Sequence, residues 1–109
     1  MISYLQGEIK RSGADCLVVS VNGIGYQVFV NEKTLKKVKE REEIELHIHH
    51  YQTEKSEELY GFRDLPSLDL FENLLSVSGV GPKAALALLS SLEIKELEDK
   101  GVPVRERLR

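Results

Sequence analysis

The residue types with the clearest chemistry in this sequence lie in one short segment, Gly79-Val80-Gly81-Pro82-Lys83-Ala84. Two glycines flank one apolar residue, so consecutive backbone N–H groups would be left uncovered by side chains. Pro82 is tolerated in the first turn of a helix, and the apolar run after it has helical spacing. A helix N-terminus attracts anions, and Lys83 would add a cation at the same place. The segment therefore predicts a phosphate-binding cradle, formed by Gly79, Val80, Gly81, Lys83 and Ala84.

Three other interpretations of this segment are weaker. A dinucleotide-binding turn permits the letters GxGxxA, but it must follow a strand, and the preceding residues repeat at the helical period. A Walker A loop needs four residues between its glycines and a Ser or Thr after the lysine, and neither is present. A turn between two helices with no ligand remains open, although one glycine would be sufficient for it.

The elements that must position the segment are helices. Either Asp64 or Ser67 is a suitable N-cap, and Pro66 fits the first turn. A first helix is predicted from the helical spacing of apolar residues, namely Leu68, Phe71, Leu74, Leu75 and Val77. We predict a second helix over residues 83–90 and a third over 93–100, which would end before Gly101.

The first 62 residues have the period of strands instead. Ile44, Leu46 and Ile48 alternate with polar residues, and Asn22-Gly23 has the composition of a tight hairpin turn. Five short strands and one surface helix, over 32–40, are predicted. A small closed barrel would leave no strand edges, so the predicted fold is α+β, with an OB-like barrel as first choice and an SH3-like barrel as second.

Composition limits the classes of function. The net charge is −3, so the chain lacks the cationic excess of a non-specific nucleic-acid binder, and DNA binding would need a local, defined site. A run of lysines is predicted to be mainly a solvated helix face: Lys33, Lys36, Lys37 and Lys39. No apolar run approaches the ~20 residues of a membrane span, and the single cysteine fits a reducing compartment, so a cytoplasmic protein is expected.

Candidate metal and catalytic groups are sparse. His47 and His49 would share a strand face with Glu45 and Tyr51, but a third ligand with suitable spacing is missing, so no metal site is predicted. No nucleophile lies beside a base in the sequence, so no catalytic residue and no cofactor are predicted. Alternation along the strands is expected to place most of the aromatic side chains in the barrel core rather than on a base-stacking surface.

The segment Leu74-x-x-Val77-x-Gly79-Val80-Gly81-Pro82-Lys83-x-Ala85 resembles the helix–hairpin–helix DNA-binding motif. It follows a predicted barrel that ends in Leu59-Tyr60-Gly61-Phe62, opens with Met1-Ile2-x-x-Leu5-x-Gly7 and contains Val21-Asn22-Gly23-Ile24-Gly25-Tyr26-Gln27-Val28. In this order and spacing, residues 1–100 resemble the RuvA family of Holliday-junction-binding proteins.

The resemblance implies an OB-like barrel over residues 1–62, used for oligomerisation and the junction centre, and a helix–hairpin–helix domain over 63–109. It implies sequence-independent binding of four-way DNA junctions through backbone phosphates, in bacterial recombination, DNA repair and the response to DNA damage. The family acts without catalysis of its own, as a homotetramer or an octamer on DNA, with the RuvB motor ATPase and the RuvC resolvase. The alternative from another class is an oligomerising scaffold for protein partners that does not touch DNA.

The sequence departs from the family pattern in three places. Paired acidic residues are implied at a barrel hairpin tip at the junction centre, and the two positions fall on Glu54 and Lys55, with Glu57 and Glu58 nearby. A second glycine hairpin is implied, but residues 100–109 read KGVPVRERLR without a GxG pair. The motor-binding domain is also missing from the sequence, so we expect weaker junction binding and no motor contact through that domain.

Overall fold

The computed structural model describes residues 1–99, with side chains up to Leu92. Five strands and three helices follow one another along the chain: β1 (Tyr4–Ser12), β2 (Cys16–Val21), β3 (Ile24–Phe29), α1 (Glu32–Lys37), β4 (Glu43–Gln52), β5 (Glu57–Phe62), α2 (Leu65–Leu75) and α3 (Pro82–Asp99). Among the described residues, no helix is both long and apolar enough to cross a membrane.

The five strands close into a barrel in the order β1-β2-β3-β5-β4. All neighbouring strands are antiparallel except β3 and β5, which are parallel and pair at two positions, Val28 with Leu59 and Phe29 with Tyr60. The helix α1 connects β3 to β4. This arrangement confirms the predicted OB-like barrel and the α+β fold class.

The barrel interior follows the predicted alternation. Ile44, Leu46 and Ile48 point inward from β4 and are at most 4% exposed. Asn22 and Gly23 both have positive φ, 52° and 86°, as the tight turn between β2 and β3 requires. Ile24 is 56% exposed because it directly follows that turn, as the first residue of β3.

The aromatic side chains lie mainly in a second apolar cluster, and their predicted place in the barrel core was wrong. Tyr60, Phe62 and Phe71 are at most 1% exposed, and their rings contact one another between β5 and α2. Phe29 and Tyr51 are packed against the same cluster. Strand alternation assigns a side chain to one of two faces, and here the outer face is covered by helices.

Two helix predictions need correction. The predicted second and third helices form one continuous helix, because Ser90-Ser91-Leu92 contains neither the glycine nor the proline that would end it. The surface helix predicted over residues 32–40 is α1, and it ends at Lys37. Asp64 is the N-cap of α2, since its carboxylate accepts the Ser67 N–H at 2.8 Å.

The predicted helix end at Gly101 and the segment expected to hold a second hairpin lie outside the described residues. The boundary between residues 62 and 63 stays a prediction.

Candidate nucleic-acid interface

The hairpin between α2 and α3 is built from backbone hydrogen bonds. The Ser76 N–H donates to carbonyls in the last turn of α2, and the Val77 N–H donates to the Leu74 carbonyl at 3.1 Å. One step later the Val80 N–H donates to the Val77 carbonyl, also at 3.1 Å. The chain then needs the left-handed conformation at Gly79, whose φ is 86°. This glycine is therefore required by the backbone itself.

The second glycine has a different reason to be there. Gly81 has no positive φ, and a Cβ built on it would meet no atom within 4 Å. Its carbonyl accepts the Ala85 N–H at 2.9 Å, which begins α3. Neither backbone strain nor internal crowding requires a glycine at this position. The bare Cα instead leaves open space in front of the first turn of α3.

That first turn supplies hydrogen-bond donors to the open space. The Lys83 and Ala84 N–H groups belong to the first turn of α3, where backbone donors have no acceptor within the helix. The Ala84 side chain is small and exposed, while that of Val80 is half-buried and packed against the aromatic cluster. Val80 thus anchors the loop on the aromatic cluster, and the donors face the open space at Gly81.

Lys83 is positioned by an aromatic side chain of the barrel. Its Nζ lies 3.6 Å from the centroid of the Phe29 ring and 5.9 Å from that of Tyr60. The sequence predicts the cation at Lys83 but not its contact with Phe29. A lysine over the face of an aromatic ring is a cation–π contact, and it links the hairpin to the last residue of β3. Separation in sequence hid this pair.

Two histidines of β4 contact α2 and the N-terminal segment. His49 Nδ1 lies 2.8 Å from Glu72 Oε2 on α2, and the His49 ring contacts the edge of Phe71. His50 is 7% exposed, and its Nδ1 accepts the Ile2 N–H at 3.0 Å. In the described part of the chain, no group of three or more His, Cys, Asp or Glu side chains could hold a metal ion.

The β4–β5 hairpin tip places Glu54 in solvent. The Thr53 N–H donates to the Ser56 carbonyl at 2.8 Å, and the Thr53 hydroxyl accepts the N–H groups of Lys55 and Ser56, which together fix the turn. The Glu54 side chain is exposed in this turn. Lys55 is exposed beside it, so the tip carries one charge of each sign.

Glu57 and Glu58 are engaged with neighbours on the strands. A hydrogen bond from Gln52 lowers the pKa of Glu57, and the positive charge of a protonated His50 would lower this pKa further. Glu58 accepts a 2.7 Å hydrogen bond from the Tyr60 hydroxyl. Burial is the larger cause, and this hydrogen bond the second, of a Tyr60 pKa well above its usual value. Of the three acids proposed for the tip, Glu54 is the one whose side chain faces solvent at the turn itself.

Comparisons with known proteins agree with this arrangement. The family described as RuvA N terminal domain matches residues 1–61, and the family described as SAM-like Helix-hairpin-helix tandem matches residues 71–107. The second match is a tandem that reaches beyond the described residues.

Curated relatives match most of the chain. A protein of Salinibacter ruber is 42% identical over 100 residues, and one of Chlorobaculum tepidum is 38% identical over 100; each alignment covers 91% of this chain and 50% of the relative. A protein of Halothermothrix orenii is 41% identical over 96 residues, 88% of this chain and 49% of its own. Each carries the name "Holliday junction branch migration complex subunit RuvA". The chain spans about half the length of these relatives.

Proposed function

The chain belongs to the RuvA family by its N-terminal domain, and from that membership we propose that it binds four-way DNA junctions through the backbone phosphates of their arms. It does so without reading sequence, because backbone amides and one lysine contact phosphates rather than base edges. It has no catalytic residue of its own and acts in the bacterial cytoplasm, beside a separate motor ATPase.

The observation that carries the proposal is the open space at Gly81. Nothing lies within 4 Å of a Cβ built there, and the position has no positive φ, so neither packing nor φ requires a glycine at this point. Glycine is favoured at a helix N-cap, and it also lets a ligand approach the backbone closely. The exposed donors in the first turn of α3 and the nearby Lys83 specify an anionic ligand.

The acidic tip has a place in the same proposal. Four copies of the chain would bring four Glu54 carboxylates to the centre of a flat tetramer, where they repel strands that pass close together. At physiological ionic strength such a field acts over roughly 8 Å, so it stays local to the centre. The Lys55 side chain beside it reduces the effect. RuvB and RuvC are the protein partners in this proposal, and none of the described residues is assigned to the motor contact.

The test is junction binding by the Gly81→Ala variant. Fluorescence anisotropy with a labelled four-way junction should show affinity about tenfold weaker, which corresponds to ~1.4 kcal/mol. The melting temperature should stay within a few degrees of the wild type. Ser78→Ala is the matched control, since it changes the same exposed loop without adding an atom and should bind like the wild type.

Two results would contradict the proposal. Normal junction binding by Gly81→Ala would remove the amide cradle as the contact. Failure of the wild type itself to shift a four-way junction would favour the scaffold function, in which the hairpin is only a turn between helices.

A further inference from the structure

The lysine-rich segment that includes α1 separates into two faces in the structure. Lys36 forms an ion pair with Glu32 one turn earlier, with Nζ 3.2 Å from Oε1. Lys33 and Lys37 are also four residues apart, and both instead line a pocket between α1 and the start of α2. The four lysines therefore do not form one uniform solvated face.

The pocket is a cationic recess on an acidic protein. It has a volume of about 200 Å³, several times the ~30 Å³ share of one water molecule. Three cations line it, Lys33, Lys37 and Arg63, against a single carboxylate, that of Asp64. The whole chain has a net charge of −3, so this local excess runs against the average. A recess of this size and charge suits a phosphate group.

None of the three cations of the pocket forms an ion pair with another described residue. Lys33 is only partly exposed, and a partly buried cation without a partner is costly. The Asp64 carboxylate is already engaged as the N-cap of α2. An anion from outside the chain would therefore find three donors and little competition.

Arg63 stands between this pocket and a second recess. The second recess is lined by Arg63 together with Glu43 and Glu45 at the start of β4. Neither carboxylate lies within the 4.0 Å of an ion pair with Arg63 among the described contacts. The guanidinium is thus available to either side, and Lys33 and Lys37 carry the charge that belongs to the pocket alone.

The pocket lies between the tip and the hairpin along the chain, at the end of β5 and the start of α2. β5 runs from the tip to the pocket, a distance of about 20 Å for six residues. α2 starts at the pocket and ends at the hairpin, about 16 Å away along its axis. Asn31 lines both the pocket and an adjoining cleft that Lys83 also lines. The pocket is therefore far from the acidic tip and continuous with the side of the barrel that carries Lys83.

We propose that the pocket formed by Lys33, Lys37 and Arg63 is a second phosphate-binding site, which holds a backbone phosphate of the same DNA arm that the hairpin binds. This inference rests on the proposed function for the identity of its ligand. The site takes a phosphodiester through point charges, without contacts that read bases. A free phosphate ion has the same chemistry, and the experiment separates the two sources.

The experiment compares two charge removals in the full chain. The Lys33→Ala/Lys37→Ala double variant should weaken four-way junction binding about tenfold at low salt, and should reduce the slope of log affinity against log salt concentration by about one, for the loss of one phosphate contact. Lys36→Ala is the matched control from the same helix and should change affinity less than twofold. If the double variant binds and responds to salt as Lys36→Ala does, the pocket is not a DNA site.

Two further measurements separate the possible failures. Gly81→Ala tests the hairpin alone, so a loss of binding there with unchanged binding in the lysine variant overturns only the pocket. Titration of the wild type with inorganic phosphate, followed by NMR at the Thr34 and Ser67 amides, tests whether the pocket binds a free phosphate ion. Shifts at these amides together with unchanged junction binding in the lysine variant would assign the pocket to a small phosphate and overturn the DNA assignment. Circular dichroism and the melting temperature of the lysine variant establish that it is folded.

Discussion

Two exposed turns of the molecule present opposite chemical groups. The β4–β5 tip is closed by the Thr53 N–H, which donates to the Ser56 carbonyl at 2.8 Å, and by the Thr53 hydroxyl, and it presents the carboxylate of Glu54 to solvent. The α2–α3 hairpin is closed by backbone carbonyls, and around Gly81 it presents backbone with no side chain near it. The first turn therefore offers a negative charge and the second offers donors. In the proposed function, the tip repels DNA and the hairpin holds it.

The largest expected effect is on stability, because Phe71 joins the barrel, which carries the β4–β5 tip, to the helices that carry the hairpin. Phe71 is fully buried between the barrel and the helices, so Phe71→Ala should lower the free energy of unfolding by about 3–5 kcal/mol. Urea denaturation measures the change. Leu88→Ala, at a residue on α3 that is 44% exposed, should change it by less than about 0.5 kcal/mol. If Phe71→Ala changes the free energy of unfolding only slightly, docking of the helices on the barrel does not depend on the Phe71 contacts.

The next test compares two glycines with the same backbone conformation. Gly79 and Gly23 both have a φ of 86° with nothing near a Cβ, so replacing either by alanine should cost about 1–2 kcal/mol of stability. Only Gly79→Ala should also weaken junction binding, by about tenfold at a temperature where both variants are folded. Equal binding by the two variants would show that the hairpin conformation is irrelevant to DNA.

Lys83 sharpens the comparison, because it belongs to the hairpin and rests on the barrel. Lys83→Ala should weaken junction binding several-fold and reduce the salt slope by about one, as expected for the loss of a single phosphate contact. Phe29→Leu keeps the cation and removes its ring, so it should lower stability with an unchanged slope. A slope that Lys83→Ala leaves unaltered would restrict Lys83 to its contact with Phe29, worth about 0.5–1 kcal/mol at an exposed site.

The smallest effect is expected at the acidic tip. Glu54→Gln should raise affinity for plain duplex more than for a four-way junction, so the ratio between the two affinities should narrow by about two- to threefold, a few tenths of a kcal/mol. Both substrates are titrated at matched salt, with a sample shown by light scattering to be tetrameric. Glu40→Gln, beyond the opposite end of β4, should leave the ratio unchanged. A ratio that stays constant in Glu54→Gln would make Glu54 an ordinary solvated residue.

Much of this architecture could be predicted because it depends on local patterns. Alternation gave the inward face of β4, the Asn22-Gly23 pair gave its turn, and the spacing of Gly79 and Gly81 located the hairpin. Local patterns do not show which outer faces become covered. The packing of Tyr60 against Phe71 depends on how α2 folds back on β5, and that of Lys83 against Phe29 joins residues far apart in sequence, so neither was predicted.

The site was predicted as a single cradle with equivalent glycines, and the structure separates their roles. Sequence spacing could not show that Gly79 is fixed by its φ while Gly81 is not. Nor could it show that Lys33 and Lys37 meet Arg63, since that meeting depends on where the end of β5 lies relative to α1. Such placements follow from barrel closure rather than from periodicity.

The parallel pairing of β3 with β5 has a consequence for how the chain folds. It joins Val28 to Leu59 and Phe29 to Tyr60, residues 31 apart in sequence, through only two residue pairs. A long loop must therefore be closed for few hydrogen bonds, and that loss of chain entropy has to be offset elsewhere. Tyr60 lies in the aromatic cluster beneath α2 and α3, and Phe29 packs against it. The helices α2 and α3 thus cover the place where β3 meets β5, and we expect closure of the barrel and docking of these helices to be coupled.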